Sequence, residues 1–286
     1  MTNKIVISAD STVDLSPEIA EKYSVVVSPM LVTMGGKTYT DGVDITPKEL
    51  FEYTKSTGEL AKTAAQSTAY YTEYFEKLSA DGSAVIHFSI SDSMSSAHNF
   101  ARIAAEDMEN VYVIDSQNLS TGIALLVLKA ADLVAEGKEA KEIYDEICAL
   151  RSRVDASFVI DTLEYLHKGG RCSAVAMLGA NVLKLRPCIE VKEGAMGVSR
   201  KYRGKMSLVY KEYAKDQLHD PDDIDLTRVF VTHTCGDDPV VDEIVELVKQ
   251  TLPFKEVIKG TAGCTISAHC GPGTLGVLFF RKSDKK

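Results

Sequence analysis

The sequence predicts an α/β protein of two domains: a doubly wound, mostly parallel sheet over residues 1–155 and a second α/β domain over residues 156–286. Three observations carry this. Apolar runs in the first half alternate with helical patterns, at spacings that suit parallel crossovers. Three of these runs (5–12, 84–93 and 111–116) break into Asp and Ser just before a helical pattern begins. In an open α/β sheet the strand carboxyl ends meet at one rim, where ligands bind. The second half has a different rhythm, with runs joined by tight turns as well as by helices.

In chain order, a strand over 4–8 leads to a helix opened by Ser16-Pro17, a capping residue followed by Pro at the first helical position. A strand over 24–32 turns at Gly35-Gly36 into Thr38-Tyr39-Thr40, the signature of a hairpin. Thr46-Pro47-Lys48-Glu49 opens another helix, and helices are expected over 69–79, 94–108, 121–135 and 140–151. Strands over 84–90 and 111–114 separate them. In the second half a strand over 157–160 precedes a short helix from 163 that stops at Gly169-Gly170, then a small-residue helix over 173–183. Runs at 188–192 and 198–202 pair across Glu193-Gly194. Helices over 205–218 and 239–251 alternate with strands over 228–232, 256–259 and 275–280.

The formal net charge of −9 argues against a nucleic-acid surface, which needs clustered Lys and Arg. The dense basic run Arg200-Lys201-Tyr202-Arg203-Gly204-Lys205 is too short to track a duplex. No apolar run approaches the ~18–20 residues that span a bilayer. The chain enters Lys4-Ile5-Val6-Ile7 without a charged-then-apolar leader, so a cytoplasmic location is expected, with the six scattered cysteines as reduced, buried thiols.

Gly271-Pro272-Gly273-Thr274-Leu275-Gly276 matches G-x-G-x-x-G by letter, but it enters a strand instead of a helix, so no dinucleotide cofactor is expected. His233-Thr234-Cys235 and His269-Cys270 lack metal-site spacing. Neither a G-x-S-x-G elbow nor a Walker A loop is present. Hydroxyls cluster instead. Thr63 and Ser67 flank one helix start, and Ser93-Met94-Ser95-Ser96 another; such residues cap helices, and a helix N-terminus also attracts anions. Arg171 follows two glycines and Arg203 follows a hairpin, positions from which a guanidinium offers its planar fork to a carboxylate or phosphate. Two readings stay open: a binder of an anionic ligand, or an acyl ester or thioester hydrolase with Ser95 or Ser96 as nucleophile and His269 as base.

The ordered set of motifs resembles the DegV family of bacterial fatty-acid-binding proteins. It includes Asp10-Ser11-Thr12-Val13-Asp14-Leu15, Gly35-Gly36-Lys37-Thr38-Tyr39, Asp161-Thr162-Leu163-Glu164-Tyr165 through Gly169-Gly170-Arg171, and His269 before Gly271-Pro272-Gly273. The resemblance implies a doubly wound first domain and a split β-α-β second domain, with a fatty acid between them. It implies a lipid carrier without cofactor or metal, not an enzyme, that presents its ligand to the ATP-binding subunit of a fatty-acid kinase for conversion to acyl phosphate. Carried over residue by residue, Thr63 matches the Thr that meets the carboxylate, Ser95 and His269 match the family's Ser and His of the ligand site, and Arg171 and Arg203 lie near the head group or the docked kinase. Ser96 stands where the family has Gly and adds bulk beside the head group, and is expected among the ligand-binding residues. The family's Leu-Ser-Gly-Thr stands here as Met94-Ser95-Ser96-Ala97, and its Thr-Ser-Gln-Pro as Thr63-Ala64-Ala65-Gln66.

Overall fold

The computed structural model describes residues 4–172 and 185–284. The small-residue helix expected over 173–183 lies outside the described residues. The first sheet is built from β1 (Ile5–Asp10), β2 (Val25–Ser28), β6 (Ala84–Ser89) and β7 (Val111–Asp115), in the order β2-β1-β6-β7 and parallel throughout. Every residue of β6 is buried, as expected of a strand covered on both faces. On one face Val85 and Val111 pack with Tyr71 and Phe75 of α3 (Thr68–Ser79) and Ala101 of α4 (Ala97–Ala104). On the other face Ile86, Phe88 and Ile114 join α5 (Thr121–Ala135) and α6 (Ala140–Leu150). The first sheet is thus doubly wound.

The run expected as one strand over 24–32 is two. After β2 the chain passes Pro29 and re-enters as β3 (Leu31–Met34), in a separate antiparallel sheet with β4 (Lys37–Thr40) and β5 (Lys62–Ala64), in the order β4-β3-β5. Pro29 cannot donate to a ladder, so the strand changes sheets there. Beside this small sheet lies α2 (Pro47–Thr57), opened by a capping box in which Glu49 N–H donates to Thr46 Oγ1 at 3.3 Å and Thr46 N–H to Glu49 Oε2 at 2.8 Å. Ser16 caps α1 (Pro17–Lys22) with Pro at its first position, as the sequence predicts.

The second sheet starts at β8 (Val154–Asp155), which pairs with β14 (Leu275–Arg281). Its main order is β11-β10-β9-β14-β12-β13, from β9 (Ser157–Val159), β10 (Leu185–Lys192), β11 (Ala195–Arg203), β12 (Ile224–His233) and β13 (Glu256–Thr261). Only the β12–β13 pair is parallel among these described strands. Between β9 and β10 lies α7 (Glu164–Gly169). One face of this sheet carries α8 (Met206–Gln217) and α9 (Val240–Thr251), through Val209, Tyr213, Val241 and Ile244. The other face meets α5. Ten of the fifteen residues of α5 are buried, because it lies between the two sheets and has little face to give to solvent. Phe158, Ile189, Phe230 and Leu278 of the second sheet share its apolar cluster with Ile86 and Phe88 of the first.

A short helix the sequence reading does not contain, α10 (Cys264–Cys270), follows β13 and ends at Gly271, whose φ is +77°. The helix expected over 94–108 is only α4, because residues 91–96 form the rim loop instead.

Candidate functional site

The rim of the first sheet, β5 and α10 enclose a cavity of about 520 Å³, within the roughly 300–1,000 Å³ typical of small-molecule sites. Five of the six residues singled out from sequence line it: Thr63, Ser95, Ser96, Arg171 and His269. The sixth, Arg203, is exposed at the end of β11 and is not among the described lining residues. The apolar wall comes from both halves of the chain, with Met30, Ile90, Phe100 and Leu119 from the first and Met196 and Ile266 from the second.

Each polar side chain has a local reason for its place. Thr63 sits in β5, paired with Val32 of β3. His269 lies in the last turn of α10, and its Nε2 is 2.7 Å from Thr63 Oγ1. Its Nδ1 has no hydrogen-bond partner among the described residues. A Cβ on Gly169 would stand 2.6 Å from that nitrogen, so the glycine at the end of α7 makes room for the ring. A buried N–H without an acceptor costs more than an unused lone pair, which assigns the proton to Nε2. Nε2–H then donates to Thr63 Oγ1, and the Thr63 O–H proton is left free to donate into the cavity. Burial, with the Arg171 guanidinium adding to it, pushes the His269 pKa down to about 4, so the ring is neutral near pH 7.

At the β6–α4 junction, Ser95 Oγ accepts the Ala97 N–H at 3.2 Å. Ser96 occupies the N-cap of α4 without a side-chain capping bond, so its hydroxyl is not committed to the helix. Ser93 lines the cavity and donates to the Gly194 carbonyl, which also accepts Ser91 Oγ at 2.7 Å. Arg171 is exposed and folds back on the Gly169 carbonyl at 2.7 Å. Thr265, Ile266 and Cys270 also line the cavity, and sequence reasoning missed all three with the helix that carries them. The Cys270 thiol is buried and pushed up to about 12, so it is a packing group and not a nucleophile. No cluster of three or more His, Cys, Asp or Glu suited to a metal exists among the described residues. No helix among them is long and apolar enough to cross a membrane.

The cavity lining thus offers hydroxyl donors, a neutral imidazole, one guanidinium and the Asp92 side chain beside its apolar residues. The chain matches the family model described as DegV, uncharacterised protein, across residues 4–282. It is 33% identical over 285 residues to a DegV domain-containing protein of Clostridium acetobutylicum, covering 98% of this chain and 99% of that one. A DegV domain-containing protein of Caldanaerobacter subterraneus is 30% identical over 282 residues, with 98% and 99% covered. Among solved structures, a fatty-acid-binding DegV family protein from Thermus thermophilus superposes with a TM-score of 0.90 at 27% identity, covering 97% of this chain and 99% of that one. A stearic acid-binding protein from Eubacterium ventriosum gives 0.84 at 28% identity, covering 96% and 98%. With the matching model spanning nearly the whole chain and relatives at 30% identity or more, this chain belongs to the DegV family.

Proposed function

We propose that the protein is a fatty-acid carrier that holds the acyl chain against Met30, Ile90, Phe100, Leu119, Met196 and Ile266, and the carboxylate at Thr63, Ser95, Ser96 and His269. The observation that carries this reading is the Thr63–His269 pair in a cavity lined by both hydroxyl groups and large apolar side chains. A neutral His269 that donates to Thr63 leaves a hydroxyl proton pointing to an acceptor, and a carboxylate is acceptor-only. Each buried methylene contributes about 0.8 kcal/mol, and each hydrogen bond to a charged carboxylate roughly 1.5–3 kcal/mol. The acyl chain therefore supplies most of the affinity and the polar rim fixes the direction of entry. The reading keeps two units, 1–155 and 156–286, with the ligand between them; support comes from a lining drawn from both.

In this reading the protein is not itself an enzyme. The sequence carries no phosphate-binding loop, so conversion to acyl phosphate belongs to the ATP-binding subunit of a partner fatty-acid kinase in the cytoplasm. Arg171, exposed beside the carboxylate end, is suited to steady a doubly charged acyl phosphate. Arg203, exposed and off the cavity, is assigned to the partner-facing surface. The hydrolase alternative has less support. Among the described residues Ser95 has no hydrogen bond to His269, whose Nε2 is engaged by Thr63. The test is native mass spectrometry of the purified protein followed by extraction. One long-chain fatty acid per chain is expected; an empty protein that also fails to take up added fatty acid overturns the reading.

A further inference from the structure

α10 comes from the last part of the chain, yet Cys264 and Ala268 pack in one apolar cluster with Val32, Met34, Ile45 and Leu50. The first turn of any helix leaves N–H groups without intrahelical partners. In α10 these are taken by carboxylates from far upstream. Gly263 N–H donates to Asp14 Oδ1 at 2.8 Å, Cys264 N–H to Asp41 Oδ1 at 2.9 Å and Thr265 N–H to Asp41 Oδ2 at 3.2 Å. A Cβ on Gly263 would crowd both, at 3.1 Å from Asp14 Oδ1 and 3.4 Å from Asp41 Oδ1. Both carboxylates are themselves fixed, Asp14 by the Ser120 hydroxyl at the start of α5 and Asp41 by Ser11 Oγ at 2.9 Å. Only 7% of Asp14 and 3% of Asp41 is exposed.

Two acidic groups buried side by side repel each other and lose hydration. A local Ser or Thr would cap α10 without that cost. What the carboxylates add is reach, because they tie the helix to β4 and to the loop after β1. The opposite end of α10 is tied by His269 to Thr63 on β5. The helix is therefore held at both ends by the first part of the chain, and its rotation and rise set where His269 meets Thr63.

We infer that Asp14 and Asp41 are positioning residues for the head-group site: through α10 they place His269, and through His269 they aim the Thr63 hydroxyl at the ligand's carboxylate. The inference rests on the fatty-acid reading above. Its test compares hexadecanoic acid with hexadecanol on the delipidated full chain, by titration calorimetry. The two share the chain and differ in the carboxylate. Asp41→Asn keeps the shape and one acceptor, and Asp14→Asn does the same at the other carboxylate. Each is expected to weaken the acid about tenfold, the loss of one such hydrogen bond, with the alcohol changed less than about threefold. Equal weakening of acid and alcohol, or no change in either, overturns the inference while the fatty-acid reading stands. A wild-type protein that binds neither compound overturns the fatty-acid reading itself. If Asp41→Asn does not fold, Ser11→Ala, which removes the hydroxyl steadying Asp41 and with it the acceptor of the Met30 N–H, is read by the same ratio, since a shift of Met30 weakens acid and alcohol alike.

Discussion

His269 lets the chemistry be tested one proton at a time. Gln at this position keeps an N–H donor at about the place of Nε2, and Ala does not. His269→Gln is expected to hold fatty acid within about threefold of wild type, and His269→Ala to lose about tenfold or more, measured by ligand displacement. The pH dependence has a sign. The folded-state pKa of His269, about 4, lies below the ordinary 6.5, so as pH falls the unfolded chain takes the proton first. Its contribution to stability is present above about 6.5 and is lost as pH falls towards 4. His87, buried against the Tyr71, Tyr74 and Phe75 rings, is lowered further, to about 3, and acts in the same direction. Asp10 opposes them. Burial raises it from 3.8 to about 6 despite donors from Thr12 and Ile90, so its contribution is present at low pH and lost as pH rises through about 6. Urea unfolding of His269→Gln between pH 6.5 and 4.5 should therefore show a shallower fall in stability than wild type. An unchanged slope would mean that His269 titrates alike in the folded and unfolded chain, and a steeper fall that the folded protein favours its protonated form.

Among the elements, the β10–β11 hairpin and α10, with Arg171 after α7, form the second half's described share of the site. The hairpin tip is pinned where Ser91 and Ser93 both donate to the Gly194 carbonyl. Gly194 has φ +79°, and a Cβ there would stand 2.7 Å from Ser91 Oγ. Gly194→Ala is thus expected to cost about 1–3 kcal/mol, through left-handed strain plus the clash, seen as a lower denaturation midpoint. Ser91→Ala in that background should recover part of it by clearing the contact. The same elements show what the sequence made legible. Alternation read the parallel sheet and the helices around it, since β6 and α5 are long and their punctuation is local. α10 gave no such signal, because six of its seven residues are buried and it has no polar face to set a period. Its caps, Asp14 and Asp41, lie more than two hundred residues upstream in sequence. The Thr63–His269 contact spans 206 residues, and only the family resemblance placed the two together beforehand. Arg203 follows a hairpin in sequence, and at the end of β11 it is exposed and off the described cavity lining.

In the whole molecule, α5 joins the two sheets and Arg228 ties their flanks. Arg228 on β12 is 7% exposed and bonds Glu256 at 2.6 Å, the Tyr23 hydroxyl at 3.1 Å and Asp132 of α5 at 3.4 Å. Arg228→Ala takes the guanidinium from Asp132 and from Glu256, which among the described residues keeps only Lys22 and the Tyr23 hydroxyl at 3.4 Å, so a loss of about 1–3 kcal/mol in chemical denaturation is expected. Arg228→Lys should recover only a fraction of it, because an ammonium cannot span the three partners. The placement of α10 also has a consequence for synthesis. Thr63 leaves the ribosome 206 residues ahead of His269, roughly 10–40 s at ~5–20 residues per second. During that interval Val32, Met34 and Leu50 have no Cys264 or Ala268 to cover them, and Asp14 and Asp41 have no helix to cap. The nascent first half is thus an unfinished surface awaiting its lid, and a chain stopped before residue 264 should be retained by chaperones or precipitate, not accumulate as a folded fragment.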